Sequence, residues 1–346
     1  MPKANSQMDK PLFLSNKNQA PKSAGFIDIF ESSLKELFKI RHPKFKNNTA
    51  RLEDFLEKFK KIKGVYIYFP WSNNVVYTLP ENFFLEIKTA RNKNLITKEE
   101  QKKYYNAKIG IVGLSIGSNI LWPLLISGGG KFLRIGDPDT IELVNLNRLC
   151  YPISDIGENK TAAALKKAYE LNPFIKIEPW VNGLELNNIK KFISGPPKLD
   201  VLIDELDDLE IKIQLRICAS KYKIPVLMAT NLGEKIMIDI ERFDIEPKRA
   251  IFHGLLNEFG IEEFKNLTPH SLKWIKATRK IIDKNLFSHN LKLSLGEVGK
   301  TLGGVPQLGI TSLVSSSVVA LAVSKIVSGK KIESGRYIID LNIWKI

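Results

Sequence analysis

Apolar residues recur at helical spacing in "FIDIFESSLKELFKI" from Phe26 and in "ARLEDFLEKFKKI" from Ala50, which predicts two amphipathic helices. "GVYIYFPW" and "NVVYTLP" predict two short strands, and "PENFFLEIKTARNKN" a third helix with Pro80 near its start. The polar stretch "ITKEEQKKYYNA" predicts a helix that leads into a strand at Lys108. From there strands and helices alternate. "KIGIVG" is a strand, and "GSNILWPLLISGGG" a helix kinked or shortened by Pro123 and stopped by glycines. "KFLRIGD" is a strand, "ENKTAAALKKAYELNP" a helix and "IKIEPW" a strand. "LDVLIDE" is a buried strand, "DLEIKIQLRICASKYK" a helix and "IPVLMAT" a strand. This alternation predicts an α/β fold, with a mostly parallel sheet covered by helices on both faces and joined by right-handed crossovers. Functional residues of such a sheet belong at the C-terminal ends of its strands.

The flanking regions read differently. Residues 1–24 are polar and aperiodic, a flexible tail. Residues 25–95 form an N-terminal α+β extension, suited to substrate recognition or dimer contact, and 96–346 the α/β domain. Beyond Asn231, "KIMIDIERF" is a strand, residues 255–300 are Lys-rich helical insertions, and "SGRYIIDLNI" is a last strand. The run Val305–Ser324, "VPQLGITSLVSSSVVALAVS", is long enough to cross a membrane. It carries Gln307, Thr311 and five serines, whose polar groups are costly in lipid and easily satisfied in a packed helix. It is read as a buried helix, with no membrane partner.

Composition adds three limits. The formal charge of +15 is uneven: residues 1–107 hold 20 Lys and Arg against 11 Asp and Glu, leaving +6 for the rest. Lysine supplies 42 of the 52 basic residues, whereas bidentate reading of phosphate or guanine favours arginine, so the charge argues against a dedicated nucleic-acid surface while leaving one open. The two cysteines, Cys150 and Cys218, exclude a disulfide framework and a Cys-x-x-Cys zinc site. The first residues contain no continuous apolar core of a signal peptide, so a cytoplasmic location is expected.

The stretch "KIGIVGLSIGSNI" raises a chemical question. G-L-S-I-G matches the nucleophile elbow of a serine hydrolase, and it also resembles a degraded G-x-G-x-x-G phosphate loop. Asp137 falls 24 residues after Gly113, at the end of the next strand, where an acid accepts hydrogen bonds from a ribose. On the loop and Asp137 alone, a nicotinamide dehydrogenase fits as well.

The residues that follow narrow the field. Asp137-Pro138-Asp139-Thr140-Ile141 precedes Asn145-Leu146-Asn147-Arg148, then Gly157-Glu158-Asn159-Lys160 opening a helix, and later "VLIDELDD" with Asp204, Asp207 and Asp208. These ordered blocks resemble the ThiF/MoeB-type adenylyltransferases, the superfamily of the ubiquitin-activating enzymes. The match runs from about Ala107 to Thr230 and more weakly to the C-terminus. "GLSIGS", "RNKN" and "IERFDIEPKRAIFHGLL" are most similar to a bacterial branch sometimes joined to a nitroreductase-like domain. The resemblance implies a Rossmann-like fold and ATP- and Mg²⁺-dependent adenylation of a carboxylate with release of pyrophosphate. The acid would be a peptide or small carrier-protein C-terminus, or a free acid. Such chemistry needs positioning and charge neutralisation but no covalent enzyme group.

By the same resemblance Arg148, Lys160 and Asp207 are the catalytic set, with Asp207 holding Mg²⁺. Gly113, Ser115, Gly117, Asp137, Asp139 and Asn145 would bind nucleotide. Arg91 would reach in from the partner subunit of a homodimer, and a solvated helix end is the competing reading. Asn94 stands where the family has a second arginine, with Lys93 beside it. Several positions depart from the family. In the loop only Gly113 is kept in register, Leu149 replaces a glutamine, and the zinc cysteines are absent, implying no zinc. Cys218 reads as core. Cys150 lies next to the site without an evident base, and His253, between apolar residues, reads as a satisfied core or interface histidine. Two further readings keep the fold: a dehydratase of a modified adenosine in tRNA, and a nucleotide-binding scaffold without turnover. A serine hydrolase would need an acid and a histidine in a recognisable setting after Ser115, and none is found.

Overall fold

The computed structural model describes residues 10–257 and 272–342. They belong to two compact units, one of residues up to 101 with 165–175, the other of 102–164 with 176 onward.

The first unit contains β1 (Leu12–Leu14), β2 (Gly25–Asp28), α1 (Phe30–Arg41), α2 (Thr49–Phe59), β3 (Val65–Phe69), β4 (Asn74–Thr78) and α3 (Glu81–Lys88). Its sheet has the order β1-β3-β4-β2. Leu34, Leu37, Phe38, Phe55 and Leu79 form its buried cluster. Two expectations change here. Residues 12–14 are not tail: Leu12 pairs with Tyr68 and Leu14 with Tyr66, an edge strand too short to show periodicity. The helix expected from Phe26 begins at Phe30, because residues 25–28 pair in parallel with β4.

α4 (Lys98–Asn106) leads into the second unit. From there β5 (Lys108–Val112), α5 (Ile116–Ile126), β6 (Phe132–Gly136), α6 (Lys160–Leu171, counted with the first unit from residue 165), β7 (Lys176–Trp180), α7 (Ile189–Ser194), β8 (Val201–Asp204), α8 (Leu209–Tyr222) and β9 (Val226–Asn231) follow the expected alternation, with α7 the one addition. Next come β10 (Lys235–Glu241), α9 (Leu272–Ile281), α10 (His289–Leu295), α11 (Gly309–Val327) and β11 (Gly335–Asp340). Part of the Lys-rich insertion, 258–271, lies outside the described residues.

The sheet order is β11-β10-β9-β8-β5-β6-β7. The five strands from β9 to β7 are parallel, and β10 and β11 extend the sheet antiparallel. The chain leaves β5 toward β6 and β7 on one side, then returns to β8 on the other. The C-terminal ends of β5 and β8 therefore flank a topological switch point, where open α/β sheets bind ligands. β5 and β8 are almost wholly buried, as continuous apolar strands of a parallel sheet should be. α11 packs against α5 and buries Ser312, Ser315 and Ser316; the Ser315 and Ser316 hydroxyls donate to the Ser312 carbonyl, and Ser312 Oγ accepts from Asn119 Nδ2 of α5. Its opposite side exposes Ile310, Leu313 and Leu321, so the helix expected to be buried is buried on one face.

Candidate active site

The loop after β5 is the foundation of the site. Gly113 has φ +80, and a Cβ there would lie 2.2 Å from the Glu205 carbonyl oxygen, so the loops after β5 and β8 touch backbone to backbone. Gly117, in the first turn of α5, would drive a Cβ to 2.9 Å from Ile111 Cγ2, and its absence lets the helix lie close on β5. Ser115 is the N-cap of α5 but makes no side-chain capping bond, which leaves first-turn amides for another acceptor.

Asp137, at the end of β6, ties this loop down. Its Oδ2 accepts from the Leu114 amide at 2.5 Å and its Oδ1 from the Asp139 amide at 2.8 Å. Burial raises the Asp137 carboxyl above the usual range, opposed by the Lys160 charge and these two amides. Lys160, buried at the start of α6, places Nζ 2.9 Å from Asp139 Oδ2, 3.9 Å from Asp137 Oδ2 and 3.4 Å from Ser115 Oγ.

A second group meets across the switch point. Ser115, Arg148, Glu205, Asp207 and Lys212 line a cavity of about 700 Å³, walled at its apolar side by Met228, Ile281 and Ile282. Arg148 follows a 3-10 turn at Leu143–Asn147, and its Nη1 donates to Val144 O and Asn147 Oδ1. Its Nε is buried with no hydrogen-bond partner among the described residues. Such an atom costs free energy unless a ligand satisfies it. Asp207 is exposed, and Asp208 caps α8 by accepting from the Ile211 amide.

Beneath the cavity, Asp204 accepts from Arg216 Nη1 and Lys212 Nζ, and Arg216 Nε donates to Glu241. Burial alone would raise Asp204; the charges of Lys212 and Arg216 outweigh it and hold the carboxyl below the usual value. Asp204 Oδ1 in turn accepts from the Leu206 amide, which fixes the loop carrying Asp207. Glu205 accepts from the Ala229 amide at 2.8 Å, and burial pushes its carboxyl up to about 8.

The structure thus joins Ser115 to both groups: Asp137, Asp139 and Lys160 on one side, Arg148 and Asp207 on the other. Asn145 lies in the turn before Arg148, buried, and its Oδ1 accepts from the Glu142 amide. Arg91 is exposed in a 3-10 turn of the first unit. Cys150 is exposed, and Cys218 packs half-buried against the β8–α8 core. His253 is held between Asp239 and Arg249, the satisfied histidine expected, in a backbone with φ 58. Glu205, Lys212 and the Arg216–Glu241 pair escaped the sequence reading. Lys212 follows Asp208 by one helical turn, a spacing that could have flagged it.

The ThiF family model matches residues 89–345. The chain belongs to the ThiF family. An uncharacterized Mycobacterium tuberculosis (strain CDC 1551 / Oshkosh) protein, MT1398, is 38% identical over 294 residues, covering 84% of this chain and 39% of that protein. The Saccharomyces cerevisiae tRNA threonylcarbamoyladenosine dehydratase 2 is 25% identical over 154 residues, 44% of this chain and 34% of the yeast protein. The Haemophilus influenzae molybdopterin-synthase adenylyltransferase is 26% identical over 174 residues, 49% of this chain and 69% of that enzyme. The chain therefore spans about two fifths and one third of the first two relatives. Among solved structures, PaaA has a TM-score of 0.52 at 20% identity, covering 76% of this chain and 78% of PaaA. The E. coli tRNA N6-threonylcarbamoyladenosine dehydratase has a TM-score of 0.50 at 16% identity, covering 70% of this ThiF-family chain and 95% of the dehydratase. Both share its fold.

Proposed function

We propose that this ThiF-family chain adenylates a carboxylate with ATP. A carboxylate oxygen forms a bond to the α-phosphorus, the α–β phosphoanhydride bond breaks, and pyrophosphate leaves. The observation that carries this reading is the meeting of Arg148, Ser115 and Asp207 around one cavity at the switch point. The orphaned Arg148 Nε and the uncapped start of α5 suit phosphate oxygens. Lys160 would add a point charge on exchanging Asp139 for phosphate, while Asp137 holds the loop and receives the ribose. Asp207 would hold Mg²⁺, which supplies charge neutralisation at the phosphates. The chain's own groups bind and orient the two anions and exclude water.

The acid would be a peptide or carrier-protein C-terminus, or a free acid. Arg91 would complete the site from the partner subunit of a homodimer. Mixing inactive Arg91→Ala with inactive Asp207→Ala should then restore activity through hybrid dimers. ATP–pyrophosphate exchange across a panel of peptides and free acids, on wild type and Asp207→Ala, tests the main reading. Exchange with no acid at all sinks it. The similarity to the yeast relative supports a second reading, dehydration of a modified adenosine in tRNA, which the net charge of +15 does not forbid. A tRNA gel shift that weakens steeply with salt would favour that substrate.

A further inference from the structure

Among the described residues lining the cavity, the cations are Arg148 and Lys212. The Lys212 Nζ lies 3.2 Å from Asp204 Oδ2 and 3.3 Å from Met228 Sδ. Lys212 is one of two cations on Asp204, and these contacts leave one of its three donors unused. Asp204 Oδ2 already accepts from Arg216 Nη1, with both of those side chains 0% exposed. A thioether is a weak acceptor, whereas an ammonium carries three donors. The Lys212 side chain keeps 13% exposure on the cavity wall, one turn into α8, whose first residues also line it. This is a cation with a spare donor, anchored by a carboxylate whose charge it shares with the Arg216 guanidinium.

Adenylation brings two anions together, and each needs a positive partner before they can approach. Arg148, Lys160 and the α5 amides suit the phosphates. We propose that Lys212 binds the acyl substrate's carboxylate, donating to one of its oxygens while the other faces the α-phosphorus. This inference rests on the adenylation reading and adds to it the residue that holds the second reactant. Lys212 forms no covalent bond and transfers no proton. The flexible ammonium follows the carboxylate as its oxygen bonds to phosphorus and pyrophosphate departs.

The test uses the full chain. Free-carboxylate peptides and aliphatic acids are screened by ATP–pyrophosphate exchange, and the most active acid is titrated against Lys212→Met and Lys212→Arg. Affinity for a fluorescent ATP analogue is measured in parallel. Lys212→Met should raise the half-saturating acid concentration about tenfold or more, leave analogue affinity within about twofold, and be largely rescued in Lys212→Arg. An unchanged acid titration overturns the proposal. Equal weakening of the analogue also overturns it, by making Lys212 a phosphate ligand. If Lys212→Met does not fold, Lys212→Gln is read the same way. Analogue binding without exchange by any acid defeats the adenylation reading and takes this inference with it, a result distinct from the other two.

Discussion

Gly113 and Glu205 are in backbone contact: a Cβ on Gly113, at φ +80, would sit 2.2 Å from the Glu205 carbonyl oxygen and 2.8 Å from the Leu206 nitrogen. The obstacle is main chain on both sides, so no rotamer change relieves it. Gly113→Ala should lose about 2–4 kcal/mol of stability, from positive φ and the clash together. It should also abolish binding of an ATP analogue. A urea denaturation midpoint close to wild type would show that the two loops can separate without cost.

Arg216 serves two buried acids, Asp204 and Glu241, with all three side chains essentially inaccessible. Arg216→Met leaves both carboxylates without the guanidinium, a loss of about 3–5 kcal/mol by denaturant titration. Asp204 also sets an acid limit. Its folded carboxyl is lowered, so its contribution is present above the ordinary Asp value and is lost as pH falls through the folded one. Asp204→Asn should be less stable at neutral pH and show a flatter curve below about pH 4. Equal steepness of the two curves would contradict this.

Glu205 acts in the opposite direction. Its folded carboxyl, up to about 8, lies above its unfolded value, so the folded state holds the extra proton between them. Stability should therefore decline as pH rises from about 4.5 toward 8. Glu205→Gln removes that slope. Melting temperatures at steps across pH 5–9 compare the two proteins, and a wild-type curve no steeper than the variant's would refute the assignment.

Ser115 stands 3.4 Å from Lys160 Nζ and caps nothing with its side chain. Ser115→Ala should retain pyrophosphate exchange within about tenfold, the scale of one lost hydrogen bond. Complete loss, with labelling of the wild type by a serine-directed acylating probe, would restore the hydrolase reading of G-L-S-I-G.

Much of the second unit was legible because its signals are local. The apolar runs Lys108–Val112 and Val201–Asp204 are strands by composition, and the glycines after Ile126 end a helix wherever they occur. The first unit was less legible. Leu12–Leu14 becomes a strand through pairing with β3, more than fifty residues away, and Phe26 leaves a helical pattern to pair with β4. In the site, Asp137, Arg148, Lys160 and Asp207 stood out through ordered blocks that resemble the ThiF/MoeB-type adenylyltransferases. Glu205 carries no such signal, since a glutamate in an acidic stretch usually faces water, and Lys212 offers only its one-turn spacing from Asp208.

The sequence alone determined the alternation of strands and helices, the glycine turn at Gly113, and the set of charged residues that follows each strand. Those depend on periodicity, backbone freedom and chain order, which are properties of neighbouring residues. Only the tertiary structure decided which charges neutralise one another. Lys160 goes to Asp139, Arg216 is shared by Asp204 and Glu241, and Lys212 joins Arg216 on Asp204. Pairing of that kind depends on distance and burial, and strand order brings residues far apart in sequence to the same switch point.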